Sequence, residues 1–130
     1  GMAGSYLYKE QEYKFDYIEN VFDDEPNMMA DLIDGLDDSR VRICLDVGHA
    51  HAMTVPEYDV YQWIEILGER IGHFHMHNND GTADTHQSMT DGTLDMARIM
   101  KIIKDHCTDD VTFTIESRKS EENVVWLLEQ

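Results

Sequence analysis

The chain has 130 residues, enough for one domain with a real core, and its 42% hydrophobic content is ordinary for a globular protein. Ten basic side chains stand against 27 acidic ones, and a net charge of -17 repels phosphate backbones and anionic lipid, which disfavours nucleic acid and membrane partners. No apolar run nears the ~20 residues that span a bilayer, no signal peptide opens the chain, and Cys44 and Cys107 make no disulfide framework, so the expected setting is cytoplasmic.

Gly1-Met2 reads as a tag scar before a start methionine. Residues 1–13 carry no pattern that assigns structure and are set apart as an extension from a domain over residues 14–130. Phe15 to Asn20 (FDYIEN) is a short strand. Pro26, preceded by Asp23, Asp24 and Glu25, opens a helix with Met28, Met29, Leu32, Ile33 and Leu36 at helical spacing. Val41 to Leu45 (VRICL) is a second strand, running into Asp46-Val47-Gly48-His49. A second helix runs from about Pro56 or Glu57 to Leu67, with Val60, Trp63, Ile64 and Leu67 on its apolar side.

Ile71 to Met76 is the third strand, and it opens the most unusual stretch, Ile71 to His86 (IGHFHMHNNDGTADTH). Four of the seven histidines fall in these sixteen residues. His73, His75 and His77 share one face at strand periodicity, Asn78 to Gly81 mark a turn, and Asp84 and His86 follow. Imidazole and carboxylate are the donors divalent ions take. A helix from Leu94 or Asp95 buries Leu94, Ile99, Ile102 and Ile103. Val111 to Ile115 (VTFTI) is the fourth strand, ending in Glu116, and Ser120 is expected to cap a last helix with Val124, Leu127 and Leu128 inward.

The order βαβαβαβα argues parallel β/α units, whose strands all end on one rim. Glu19, Asp46 with His49, His75 and Glu116 stand at those four ends, where such folds build their sites. Elsewhere, His106 in the last turn of its helix suits the helix dipole. Cys44 reads as a small buried hydrophobe, and Trp63 and Trp126 as core or interface.

The motif order Ile-Glu-Asn, Leu-Asp-Val-Gly-His, His-x-His-x-His-Asn-Asn, Asp-x-His and Ile-Glu-Ser resembles the xylose isomerase-like TIM barrels. These include sugar isomerases and epimerases and the apurinic endonuclease IV group. The resemblance runs from Phe15 to the C-terminus and corresponds to strands five to eight of the barrel. It implies a central metal held by Glu19, Asp46, His75 and Glu116, and a second set, used by multi-zinc members, at His49, Asp84 and His86. The divalent ion would be zinc, manganese, magnesium or cobalt. Glu19 and Glu116 would be the catalytic acid/base pair on a metal-bound hydroxyketone, and His51, His73 and His77 would line the pocket. Two departures stand out: Thr90-Asp91-Gly92 where the family has Gly-x-Gly, and Asn78 where it has Asp.

A full barrel takes ~250 residues, so the expected fold is a parallel (β/α)4 half-barrel. One arrangement closes eight strands in a homodimer, with Phe15–Glu19 of one copy beside Val111–Glu116 of the other. The alternatives are an open sheet shielded by residues 1–13, or a fragment of a longer protein. The expected function is a metal-dependent sugar or sugar-phosphate isomerase or epimerase with a small carbohydrate substrate. The rival readings are an endonuclease IV-like zinc phosphodiesterase and a non-catalytic metal-binding or assembly domain.

Overall fold

A computed structural model describes residues 5–7, 16–19, 26–53 and 58–130, with the side chains of 26–52 and 58–130. Among the described residues, five strands form one sheet in sequence order: β1 (Ser5–Leu7), β2 (Asp16–Glu19), β3 (Val41–Asp46), β4 (Ile71–Met76) and β5 (Thr112–Ile115). β2 to β5 are parallel, each joined to the next through helix, as the alternating pattern requires. The helices are α1 (Pro26–Leu36), α2 (Val47–Met53), α3 (Val60–Leu67), α4 (Met96–His106) and α5 (Ser120–Leu128). None of those described is long and apolar enough to cross a membrane.

Within residues 1–13, where no structure was expected, β1 pairs antiparallel with β2, with Ser5 opposite Glu19 and Leu7 opposite Tyr17. This bears on the expected dimer closure. The edge of β2 that a second copy's β5 was to use carries β1 instead, so that pairing has to displace β1. The shielded sheet is the arrangement found at this edge, which is how an exposed row of backbone donors and acceptors is normally blunted.

Side-chain alternation divides the sheet into two different faces. Leu45, Phe74 and Met76 are fully buried and join Trp63, Ile64, Leu67, Ile99 and Ile103 in the core under the helices. Phe113 stacks on Phe74 with ring centroids 5.6 Å apart. The other face carries Cys44 and Asp46, His73 and His75, and Thr112 and Thr114 in register across β3, β4 and β5. Below these, Arg42 ties the strand starts together, its guanidinium donating to Ile71 O (2.7 Å), Thr108 Oγ1 (2.7 Å) and Asp110 Oδ1 (3.2 Å).

Two helices depart from expectation. Residues 47–53, between the expected second strand and second helix and assigned to neither, form α2, because Asp46 closes its own strand and then caps the helix, its Oδ1 accepting from His49 N at 2.8 Å. In α5 the residue before the helix is Lys119 in the left-handed region (φ 59°), and Ser120 is its first residue rather than its cap. Val124 and Leu128 point outward, Leu128 being 80% exposed, because buried Asn123 sets the inward face together with Trp126 and Leu127. The Asn123 Oδ1 accepts from Met89 N (2.9 Å) and Ser117 Oγ (2.5 Å), and its amide donates to Ser88 Oγ (3.0 Å). α3 begins at Val60 with a capping box between Asp59 and Gln62; Pro56 and Glu57 lie outside the described residues.

Candidate metal centre

Three adjacent parallel strands deliver Asp46, His75 and Glu116 to one point on the rim. Asp46 is the last residue of β3, His75 lies opposite it in β4, and Glu116 follows β5, extending its ladder by donating to Met76 O at 3.0 Å. His75 Nδ1 lies 3.6 Å from Asp46 Oδ2 and 3.4 Å from Glu116 Oε1. One donor atom from each of the three residues lies within 4.8 Å of the others. The 3.6 Å separation is beyond an ordinary hydrogen bond. Both separations lie near the spacing of about 3.4 Å between two donors that each sit ~2.1 Å from one tetrahedrally coordinated ion. The donor set therefore fits a divalent ion. Glu19 ends β2 with its backbone opposite Cys44; its side chain lies outside the described residues.

A second grouping lies beside the first. Asp84, in the loop after β4, has Oδ1 3.5 Å from His77 Nδ1 and 3.6 Å from His86 Nε2, and Oδ2 3.6 Å from His49 Nδ1. The expected partners His49, Asp84 and His86 are thus brought together around Asp84, with His77 added. His77 is fully buried, not open to a pocket: it follows β4, and its Nε2–H donates to Asp46 Oδ1 at 2.6 Å. The His77 and His86 rings stack nearly parallel, with centroids 3.9 Å apart. His86 adopts the left-handed backbone region (φ 53°), and its Nδ1 donates to Glu116 O at 2.9 Å.

The loop that carries Asp84 and His86 is held by two asparagines. Buried Asn78 donates its amide to Met89 O (3.0 Å) and Leu94 O (3.1 Å), two bonds that a carboxylate could not make. That accounts for Asn where the family pattern has Asp. Asn79 donates to Gly48 O at 2.7 Å and accepts from Gly81 N at 2.8 Å. The turn at Thr90-Asp91-Gly92 needs its glycine, because a Cβ at Gly92 would collide with Asn78 Oδ1 and Asn79 O.

The remaining candidates flank the centre. His73 sits one layer below it, its nitrogens hydrogen-bonded to Thr112 Oγ1 (2.6 Å) and Thr114 Oγ1 (2.8 Å), and forms a further potential ligand group with Cys44 and His75. His51 Nε2 bonds Thr93 Oγ1 at 2.7 Å, so it braces the loop. Burial pushes the His51 imidazole down, opposed by the charge of Asp80.

Electrostatics fix the ionisation of the centre. Burial works to raise the Asp46 carboxyl, but the imidazoles of His75 and His77 and the His49 amide overcome it and hold the group far below the usual carboxylate range. Burial likewise works to lower His77, and its bond to Asp46 with the charges of Asp46, Asp84 and Glu116 raises it instead.

The sequence profile described as xylose isomerase-like TIM barrel matches residues 12–129. An uncharacterized protein of Methanocaldococcus jannaschii, MJ1311, is 25% identical over 93 residues, spanning 72% of this chain and 31% of that protein. Among solved structures, a D-tagatose 3-epimerase-like protein superposes with a TM-score of 0.66 at 23% identity, covering 86% of this chain and 42% of that one. The zinc chloride-soaked TTHB071 protein from Thermus thermophilus gives 0.67 at 20%, covering 87% and 43%. The 3-keto-D-glucoside 4-epimerase YcjR from E. coli gives 0.57 at 18%, covering 82% and 40%. The chain spans less than half the length of each of these relatives.

Proposed function

The chain belongs to the xylose isomerase-like TIM barrel family, and on that footing we propose that it is a metal-dependent isomerase or epimerase that moves a proton on a small hydroxyketone sugar. The observation that carries this reading is the convergence of Asp46, His75 and Glu116 from three parallel strand ends with ligand-like separations of 3.4 and 3.6 Å. The names of two structural neighbours, a D-tagatose 3-epimerase-like protein and a 3-keto-D-glucoside 4-epimerase, support the substrate class.

A divalent ion among these donors, whether zinc, manganese, magnesium or cobalt, would supply Lewis-acid polarisation of a substrate carbonyl. The protein's part is division of labour between carboxylates. Asp46, doubly engaged by His77 and the His49 amide, is held ionised and keeps its orientation. Glu116 is 31% exposed and, among the described residues, its carboxylate stands 3.4 Å from His75 and 3.9 Å from His77 without a shorter contact, so it is the carboxylate placed to accept and return a proton at a substrate carbon. Glu19, from the neighbouring strand end, is proposed as its partner on the opposite side of the substrate.

The test is a screen of aldose–ketose and epimer pairs with the metal-loaded chain. The proposal expects turnover that Glu116→Gln lowers by about 10²–10⁴-fold, the usual worth of a general base. No turnover of any sugar, with metal shown to be bound, counts against it.

A further inference from the structure

We infer that a second copy of this chain docks on the two ends of the half-barrel, α5 of one copy against α1 of the other, and closes the rim around the metal centre. Among the described residues, the large apolar side chains left exposed all lie on these two helices: Met28, Leu32 and Leu36 on α1, and Val124, Val125 and Leu128 on α5. The three on α1 stand four residues apart and form one stripe. Val124 and Leu128 share that spacing on α5, with Val125 beside them. These helices are the end members of their layer: α3 packs against both α1 and α4, while α5 lies against the last strand, β5. Apolar stripes confined to the outermost helices mark faces that a further body covers. The sheet ends in the same way. β5 is its last strand, and Thr112, Phe113, Thr114 and Ile115 include no charge and no proline, the devices that normally blunt an edge. The other end of the parallel run, β2, is covered by only three residue pairs from β1.

The occupant is a second copy because the chain carries both halves of one seam. When β5 of one copy replaces β1 beside β2 of the other, the right-handed β/α order sets α5 of the first next to α1 of the second. The two apolar stripes then meet. A two-fold axis makes both seams identical, so eight parallel strands close into a barrel and no filament grows. Length agrees, since one copy covers 42%, 43% and 40% of the three solved relatives. The site gains a wall by this closure. In a single copy the ends of β2 to β5 form half a rim, and the second copy's strand ends face Asp46, His75 and Glu116 across it. The inference rests on the family fold and not on sugar turnover, because its test reads mass.

Sedimentation velocity of the full chain at micromolar concentration is the test. It is run near physiological salt, where repulsion between two copies of charge -17 is screened beyond ~8 Å. The expected result is one species of twice the 15.1 kDa chain mass. Leu32→Glu and Leu128→Glu, at positions 46% and 80% exposed in the single copy, should each weaken that dimer by about a hundredfold or more with the circular dichroism unchanged, since each seam would bury an unpaired carboxylate. A wild-type monomer overturns the inference and hands the stripes to another occupant, such as further β/α units. A dimer that both substitutions leave intact overturns it too, because it uses another face. So does an assembly that grows past two copies with concentration. The wild-type mass decides alone if a variant fails to fold. Failure of the sugar screen leaves the mass unaffected, so the two proposals fail separately.

Discussion

Gly48→Ala tests how the turn of chain after β3 is fitted to the site. In a helix this exchange normally stabilises by ~1 kcal/mol, since alanine restricts the unfolded backbone and suits the helix. Here the added methyl would land on the ring of His77, whose Nε2 is fixed to Asp46 at 2.6 Å. Overpacking a buried site costs ~1–3 kcal/mol. Displacing the ring also breaks a hydrogen bond to an ionised carboxylate, worth about 1.5–3 kcal/mol. After the helix gain is deducted, the variant should be less stable by ~1.5–5 kcal/mol. Urea denaturation of the metal-free chain measures this directly. The sign is the point: equal or greater stability in Gly48→Ala would mean that His77 does not press on Gly48, and the account of the buried imidazole would fail.

Other consequences follow from the same contacts. Asn78→Asp should destabilise by ~1–3 kcal/mol, because the Met89 and Leu94 carbonyls lose their donors; an unchanged urea midpoint contradicts this. Chelator should lower the melting temperature, by roughly 10 °C when the competing metal stands at a hundred times its Kd, since an ion bound only by the folded state stabilises it. A chelator-insensitive melt removes the metal reading. Burial pushes the Cys107 thiol up from 9.0 to about 11, so its alkylation at pH 8 should be about a hundredfold slower than in the unfolded chain. Because the folded pKa is the higher one, this group's contribution to stability is intact below pH 9 and is lost as pH rises towards 11. Equal alkylation rates in folded and urea-unfolded protein would refute the burial argument.

Much of the framework was legible because strand and helix periods were clean. β3 and β4 lie where VRICL and IGHFHM placed them, and Pro26–Leu36 is the helix its methionine and leucine spacing announced. The rim positions followed from strand ends alone, and Asp46, His75 and Glu116 meet as that reasoning required. What stayed hidden depends on tertiary contact. β1 is only three residues long and has no period to detect. α2 is short and contains Gly48, so its only signal was Asp46 standing at an N-cap position. The inward face of α5 is set by a polar residue, Asn123, against its apolar pattern. His77 looked like one more histidine on the face of β4. Its burial comes from a bare Gly48 backbone and from the loop anchored by Asn78 and Asn79, neither of which is visible in local spacing.

An anomalous-scattering map from a crystal of the metal-loaded chain tests the central claim most directly. A peak within ~2.0–2.2 Å of one donor atom each from Asp46, His75 and Glu116 is the predicted result. A saturated crystal whose only peaks lie away from these three side chains would contradict it.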